Sequence, residues 1–329
     1  MNPRLTSILL LATGLAAFAE TDEIINKRFA VHSGGKLVVD VSFGSIDVTT
    51  NGTGEVIVNV MRTVGRRSKE EESSFLNDHP VTFSQEGDTV AIRSKGTTGS
   101  GIGGWFGSQR NEAKYTISVP SAFHAQLKTS GGGITVSDLT GEVKAATSGG
   151  SLKFGRLRGP LDGGTSGGRI RVVDCQGDLK VKTSGGGIEV SDGSGALEGH
   201  TSGGSVTVKN FSGSARVGSS GGGITLENVT GKVEGSTSGG SISARFSSSL
   251  TEPVNLSTSG GGVTLRVTDK SAFDLDASAS GGGVISDLPV TIVGKVPRDR
   301  LKGPVNGGGK TVYLRTSGGG IHVKRLQNQ

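Results

Sequence analysis

Residues of the types that carry catalysis are few in this sequence, and their spacing does not assemble a catalytic set. Gly218–Gly222 reads Gly-Ser-Ser-Gly-Gly and matches the Gly-x-Ser-x-Gly pattern of a nucleophile elbow. That pattern needs a strand-to-helix turn and triad partners, and a chain with 58 glycines among 329 residues produces it by chance. Cys175 is the single cysteine and lies in a column where Leu139, Phe211 and Val229 recur. We therefore interpret it as a small core residue.

Metal chemistry is not favoured by the spacing of the possible ligands. The five histidines are His32, His79, His124, His200 and His322, and none forms a close pair or a metal-ligand spacing. Acidic or amide residues do recur every 18 residues, in a column that contains Asp138, Arg156, Asp174, Asp192, Asn210 and Asn228. Such a column could bind calcium, but the calcium-binding β-roll motif Gly-Gly-x-Gly-x-Asp is missing. Because Asp and Asn favour bends, we interpret the column as bends. We expect no metal, no cofactor and no catalytic residues, so the chain is predicted not to be an enzyme.

Basic residues offer a binding chemistry instead. Lys and Arg number 35 against 29 Asp and Glu, so the formal net charge is +6, a mild bias towards anionic surfaces or polymers. The candidate interaction residues at outward repeat positions are Lys153, Arg156, Arg169, Arg171, Lys180 and Lys182. Acidic residues interleave with them, so an ordinary solvated face is the alternative. Nucleic acid is not expected, because the repeats present no aromatic residues for stacking.

A glycine-rich insert between Lys95 and Asn111 contains the remaining candidate interaction residues, Trp105 and Phe106. Trp105 is the only tryptophan of the chain. Two aromatic residues on a flexible loop could contact a partner or a membrane surface. The alternative is that the pair folds back and covers an edge of the sheet.

The elements that position these residues follow from an internal repeat. A Thr-Ser-Gly-Gly tetrad or a close variant begins every 18 residues, at Thr129, Thr147, Thr165, Thr183, Thr201, Ser219 and Thr237. Related tetrads begin with looser spacing at Thr258, Ala279 and Thr316. A fixed period of this length indicates one small unit stacked on copies of itself. We expect the tetrad hydroxyls to make hydrogen bonds to the backbone or to one another along the stack.

Apolar and polar residues alternate after each tetrad, as in Ile170-Arg171-Val172 and Ile188-Glu189-Val190. This period of two predicts a strand with one buried face. A second strand follows a recurrent glycine such as Gly177, which implies a positive φ or a close backbone approach. We therefore predict an all-β fold: a single-stranded parallel β-solenoid or β-helix with 18-residue coils of two strands each, and an irregular N-terminal β cap.

The segment before the repeats has its own organisation. Residues 1–19 read as a secretory signal peptide, with Ala17-Phe18-Ala19 as the cleavage site, so we expect an exported chain with no transmembrane segment after cleavage. Residues 20–128 are predicted to form the irregular β cap, which includes a short helix that starts after Ser68. Residues 129–326 are predicted to form the Gly-rich solenoid repeats.

The repeated Ser-Gly-Gly-x-Ile/Val-x-Val units and the closing block Gly307–Val323 resemble a bacterial family of unknown function whose members are known as "putative adhesins". The resemblance covers about Phe29 to Arg325 and implies an exported or membrane-associated protein with a Gly-rich β-strand repeat. It supplies no catalytic motif. The terminal block is its more specific part, since Gly-rich β repeats occur in several solenoid types.

The function predicted from these features is a non-enzymatic exported scaffold that acts in adhesion or in cell-envelope organisation. The location expected is the periplasm, the cell surface or the medium. The expected partner is an anionic envelope polymer, a polysaccharide or a surface protein. Two alternatives stay open, namely a self-assembling envelope filament and a polysaccharide-processing β-helix enzyme.

Overall fold

The computed structural model describes residues 19–66, 68–96, 111–292 and 297–326. Within these ranges the chain is mostly β, with 27 strands and one helix. The N-terminal elements are β1 (Ala19–Ala30), β2 (Lys36–Val41), β3 (Ser45–Asn51), β4 (Glu55–Arg66), α1 (Lys69–Asp78), β5 (Thr82–Glu86), β6 (Thr89–Ser94) and β7 (Asn111–Pro120). The central strands are β8 (His124–Lys128), β9 (Ile134–Ser137), β10 (Val143–Thr147), β11 (Leu152–Gly155), β12 (Leu161–Thr165), β13 (Ile170–Val173), β14 (Leu179–Thr183), β15 (Ile188–Ser191), β16 (Ser194–Thr201), β17 (Val206–Ser219), β18 (Ile224–Val229), β19 (Val233–Thr237) and β20 (Ile242–Phe246). The C-terminal strands are β21 (Val254–Thr258), β22 (Val263–Val267), β23 (Phe273–Ala279), β24 (Val284–Ser286), β25 (Arg300–Val305), β26 (Lys310–Thr316) and β27 (Ile321–Arg325).

Most of these strands pair in parallel with the strand one repeat further along. Leu152 of β11 lies opposite Ile170 of β13, and Leu161 of β12 lies opposite Leu179 of β14. Two ladders result. Ladder A runs through β9, β11, β13, β15, β17, β18, β20 and β22. Ladder B runs through β8, β10, β12, β14, β16, β17, β19 and β21. The prediction of a mostly β chain with parallel strands is confirmed.

The alternating apolar residues of both ladders form the core. Ile170 and Val172 of β13 are completely buried, while Arg171 between them is exposed. Leu179 and Val181 of β14 are buried in the same way. Burial of apolar surface is the dominant favourable contribution to folding, so neighbouring repeats stabilise one another through one continuous core.

Both ends of the ladders depart from the order of the chain. At the N-terminal end, β2 lies between β6 and β8, and β3 lies between β7 and β9. At the C-terminal end, β26 lies between β21 and β23, and β27 lies between β22 and β24. The tetrad at Thr316 therefore stacks directly on that at Thr258, and the copy at Ala279 comes last.

The outermost strands run antiparallel to their neighbours at the N-terminal end of both ladders and at the C-terminal end of ladder B. At the N-terminal end β4 pairs with β7 and with β1, and β5 pairs with β6. At the C-terminal end β25 pairs with β23. Antiparallel strands thus occupy the otherwise open backbone edges at these three places, whereas ladder A ends at its C-terminal side in the parallel strand β24.

Helix α1 packs against β4 and β1. Its start was predicted at Ser68, and the Ser68 hydroxyl accepts a hydrogen bond from the Glu71 N–H at 3.3 Å. The Glu72 side chain is completely buried. Its carboxylate accepts hydrogen bonds from the backbone N–H of Arg66 at 3.1 Å and from the hydroxyl of Thr21. Glu72 therefore connects the helix to both strands.

We expect Glu72 to make the stability of the chain depend on pH. The hydrogen bond from Thr21 is the main cause that lowers the pKa of Glu72. Because its folded pKa lies below the unfolded value, the stabilisation is present above the unfolded pKa and disappears as the pH falls through the folded pKa. Glu72→Gln should lower the urea midpoint at about pH 7, and the difference from wild type should shrink towards about pH 3. The exposed neighbour serves as control through Glu71→Gln, and a pH-independent deficit in Glu72→Gln would contradict the assignment.

A second expectation concerns the close approach of backbones at the tetrads. A Cβ on Gly186 would lie 2.0 Å from the carbonyl oxygen of Gly168, whereas a Cβ on Gly164 would meet nothing within 4 Å. Gly186→Ala should lower the free energy of unfolding by about 3 kcal/mol, because the backbone must shift. Gly164→Ala should change it by less than about 1 kcal/mol. Urea titrations followed by circular dichroism measure both, and equal effects would show that the corner tolerates a methyl group.

Candidate functional site

The tetrad hydroxyls are used by the fold itself. Thr165 donates a hydrogen bond to the carbonyl of Gly150 at 2.8 Å and accepts one from the N–H of Gly168 at 3.3 Å. The same contact to the carbonyl of the preceding corner is made by Thr147, Thr183, Thr201, Ser219, Thr237, Thr258 and Thr316. All of these residues are buried. The predicted bonding of the hydroxyls to the backbone is confirmed for the first residue of each of these tetrads, so that residue does not offer its hydroxyl to a ligand.

The Gly-x-Ser-x-Gly match at Gly218–Gly222 is one of these corners. Strand β17 ends at Ser219, whose hydroxyl donates to the carbonyl of Gly204 at 2.8 Å. The nucleophile position of the pattern falls on the next residue, the exposed Ser220. The next element is another strand, β18. The strand-to-helix turn that a nucleophile elbow requires is therefore not formed here.

The column of Asp, Asn and Arg residues forms bends. Its members have positive φ angles between 50° and 64°, and they are Asp138, Arg156, Asp174, Asp192, Asn210 and Asn228. Their side chains also contact one another along the stack. Asn210 donates to Asp192 at 3.0 Å, and Arg156 contacts both carboxylate oxygens of Asp138, a contact that lowers the pKa of Asp138. The bend interpretation is confirmed.

Cys175 and the histidines do not assemble into a reactive set. Cys175 is completely buried in the core, and this burial raises the pKa of its thiol. His79 stacks on Phe75 with ring centroids 4.2 Å apart, and His32 contacts Asp88 at 3.0 Å. Over the ranges that the structure describes, no group of three or more His, Cys, Asp or Glu could hold a metal ion.

The predicted interaction residues do not lie together. Lys153, Arg169 and Arg171 lie on the outward side of ladder A, which we call face A, whereas Lys180 and Lys182 lie on the outward side of ladder B, which we call face B. Arg156 lies at a bend and pairs with Asp138. Trp105 and Phe106 lie outside the described residues.

Face B neutralises its own charges. Along one outward column the sign alternates from strand to strand, through Lys144, Asp162, Lys180, Glu198, Arg216 and Glu234. Arg216 pairs with Glu234 at 2.8 Å and Lys182 pairs with Glu198 at 3.3 Å. Opposite charges on neighbouring strands stabilise a sheet. Lys180 forms no salt bridge in the described part of the chain but lies between Asp162 and Glu198 in register, and Lys182 is paired with Glu198, so both have acids beside them within the protein.

Face A carries a cluster that is not neutralised, and we call Lys153, Arg169 and Arg171 the central cation patch. Lys153 and Arg171 are opposite each other in register, and Arg169 lies two residues before Arg171 on the same side. All three are exposed. The nearest acid is Glu189, 3.9 Å from Arg171. Three cations against one carboxylate leave a local positive charge.

A second group on face A was missed by the sequence reasoning. Arg245 lies opposite Arg266, and Arg266 lies opposite Lys324; we call these three residues the C-terminal cation row. The offset here is 21 residues instead of 18, as in the contact from Gly262 to Ser241, and Lys324 comes from the displaced strand β27. The 18-residue columns could not show this row, although the three basic residues follow apolar positions after tetrads.

These features define a parallel β-strand repeat protein whose corners are closed by backbone and hydroxyl hydrogen bonds. Residues 35–324 match the family model described as Toastrack DUF4097. The chain belongs to this family, and the resemblance inferred from the repeats is confirmed. Among the residues that the structure describes, no helix has the length and apolar character needed to cross a membrane.

Solved structures that match this chain include three bacterial proteins. A "putative lipid binding protein" of Parabacteroides distasonis is 15% identical with a TM-score of 0.40. "Putative adhesins" of Bacteroides fragilis and P. distasonis are 13% and 11% identical, with TM-scores of 0.33 and 0.32. Each match covers 92% of this chain and 97% of the other. No curated protein gives a significant match.

The corner hydrogen bonds predict a stability effect without a binding effect. Thr165→Val keeps the shape of the side chain but leaves the carbonyl of Gly150 and the N–H of Gly168 without their hydroxyl partner. We expect a loss of about 1–3 kcal/mol in the free energy of unfolding. Ser166→Ala, at the exposed neighbouring position, should be almost neutral. Urea denaturation of the two variants measures the difference, and a wild-type midpoint for Thr165→Val would refute the role of the hydroxyl.

Proposed function

We propose that this chain is a non-enzymatic, exported β-solenoid scaffold that binds an anionic polymer of the cell envelope. The observation that carries the proposal is the central cation patch. Lys153 and Arg169 have no salt-bridge partner in the described part of the chain, and Arg171 has only the long contact to Glu189 at 3.9 Å. Positive charge that the protein leaves uncompensated is available to an anionic ligand.

The solenoid interpretation rests on the register of the two ladders. Each coil contributes one strand to ladder A and one to ladder B, and contacts join residues 18 positions apart, as between Arg156 and Asp138. Outward residues of one column are therefore separated by one strand spacing, about 4.8 Å. A repetitive ligand suits such a column, because several weak contacts at fixed spacing add by multivalency.

The surroundings of the central cation patch leave room for a polymer. The strand neighbours on the same outward side are small, namely Ser151 and Gly155 beside Lys153 and Val173 beside Arg171. Guanidinium groups bind carboxylates and phosphates through paired hydrogen bonds. Two arginines and a lysine on an open surface thus suit a polyanion better than a small ligand, which requires a concave site.

Export is the part of the proposal that rests on sequence. The predicted signal peptide, residues 1–19, falls almost entirely outside the described residues. An exported chain would meet anionic polymers in the periplasm, at the cell surface or in the medium. Adhesion or envelope organisation would follow from holding such a polymer along a rigid surface.

The proposal predicts that charge reversal on face A weakens polymer binding, whereas charge reversal on face B does not. Arg169→Glu with Arg171→Glu should weaken binding to soluble polyuronate by about tenfold or more. The matched control, Lys180→Glu with Lys182→Glu, changes the net charge equally and should retain most of the binding. Isothermal titration calorimetry at low salt measures both, and added salt should weaken the wild-type interaction.

Two outcomes would contradict the assignment of the patch. An equal loss in both double variants would show that net charge alone drives binding. An unchanged affinity in the face A variant would show that the polymer binds elsewhere. The conservative pair Arg169→Lys with Arg171→Lys keeps both positive charges and should retain substantial binding. This variant therefore shows whether binding is lost through the change of charge or through a general effect of substitution at these positions.

A further inference from the structure

The C-terminal cation row brings three like charges together in register. Arg245 of β20, Arg266 of β22 and Lys324 of β27 occupy one outward column of ladder A. Successive members are one strand spacing apart, about 4.8 Å, so the row spans about 10 Å. Arg245 is exposed, and Arg266 and Lys324 are half-buried. Like charges directly opposite each other destabilise a sheet. This row therefore lowers the stability of the fold, whereas the alternating charges of face B do not.

The row is not neutralised by ion pairs within the described part of the chain. None of its three side chains forms a salt bridge there. The adjacent acid Glu227 is paired with Lys209 at 3.5 Å. The Arg266 guanidinium donates to the Ser243 hydroxyl at 3.1 Å, which orients its planar head along the face.

The row lines a surface depression of about 560 Å³. The same depression is lined by Glu227, Ser243, Asp287 and Arg325. Arg325 is paired with Asp269 at 2.7 Å, so its charge is compensated. Glu227 is the strand neighbour of Arg245 and is paired with Lys209, so Asp287 is the one acid of the depression without a salt bridge in the described part of the chain. Three cations against this single carboxylate leave a net local charge of two.

We propose that the C-terminal cation row binds a phosphate group. A phosphate monoester carries about −1.5 to −2 charges and three strong acceptor oxygens at neutral pH, which matches both the net charge and the number of donor side chains. A single carboxylate would leave one charge uncompensated. The paired donors of Arg245 and Arg266 fit phosphate oxygens, and Lys324 adds a point charge.

This site deepens the proposed function and rests on it for the source of the ligand. The phosphate groups in question are monoester groups carried by an anionic envelope polymer. The row lies on the same face as the central cation patch, several strands further along ladder A. A polymer that follows face A could therefore contact both groups.

The test uses inorganic phosphate as the probe and the full mature chain. Titration followed by NMR, against chloride at equal ionic strength, should shift the signals of Arg245, Arg266 and Lys324. Arg245→Gln with Arg266→Gln should weaken phosphate binding by about tenfold or more. Asp287→Asn should strengthen it about threefold or more, because the net positive charge rises. The gain in the last variant cannot arise from misfolding.

The matched control neutralises two cations of face B through Lys180→Gln with Arg216→Gln and should leave phosphate binding unchanged. Unchanged binding in Arg245→Gln with Arg266→Gln, or no gain in Asp287→Asn, would overturn the site. An equal loss of phosphate binding in the face B control would also overturn the site. Phosphate binding that fails while polyuronate still binds would refute this inference and leave the proposed function standing. Loss of polyuronate binding with phosphate binding intact would refute only the proposed function.

Discussion

One carbonyl at each corner holds the stack together. The carbonyl oxygen of Gly168 accepts the hydroxyl hydrogen bond of Thr183 at 2.9 Å. The same oxygen lies 2.0 Å from the place where Gly186 would carry a Cβ. The atom thus requires a hydroxyl at one position of the next coil and forbids a side chain at another. A slip of one residue would lose both conditions and would also turn every buried side chain outward, so the corner fixes the register of both ladders.

Register in turn decides which charges meet. On face B it places Lys180 between Asp162 and Glu198, so each charge has an opposite neighbour. On face A it places Lys153 beside Arg171, where like charges meet. The corner residues carry no charge themselves. The register that they fix nevertheless gives face B alternating charges and leaves like charges side by side on face A. The spacing of the corners therefore determines which of the variable outward residues lie opposite one another.

The 18-residue period was enough to predict the parallel strands, the inward columns and the bends. A bend such as Asn210, with φ of 50°, is visible in sequence because few residue types adopt that conformation readily. Periodicity reports only the neighbour one repeat away, so it could not place β2 between β6 and β8. It also grouped Lys180 and Lys182 with Lys153, because a list of basic residues does not show which acids lie opposite them.

The displaced strand β27 explains why the C-terminal cation row exists. Val284 of β24 and Val263 of β22 both lie opposite Ile321 of β27, on its two sides. If the strands followed chain order, β24 would pair with β22 directly, and Asp287 would come opposite Arg266. That arrangement would continue the pattern of opposite charges on neighbouring strands. Insertion of β27 places Lys324 between the two instead, which moves the carboxylate one strand away from Arg266. The change in strand order therefore creates the uncompensated charge on which phosphate binding at this end of face A depends.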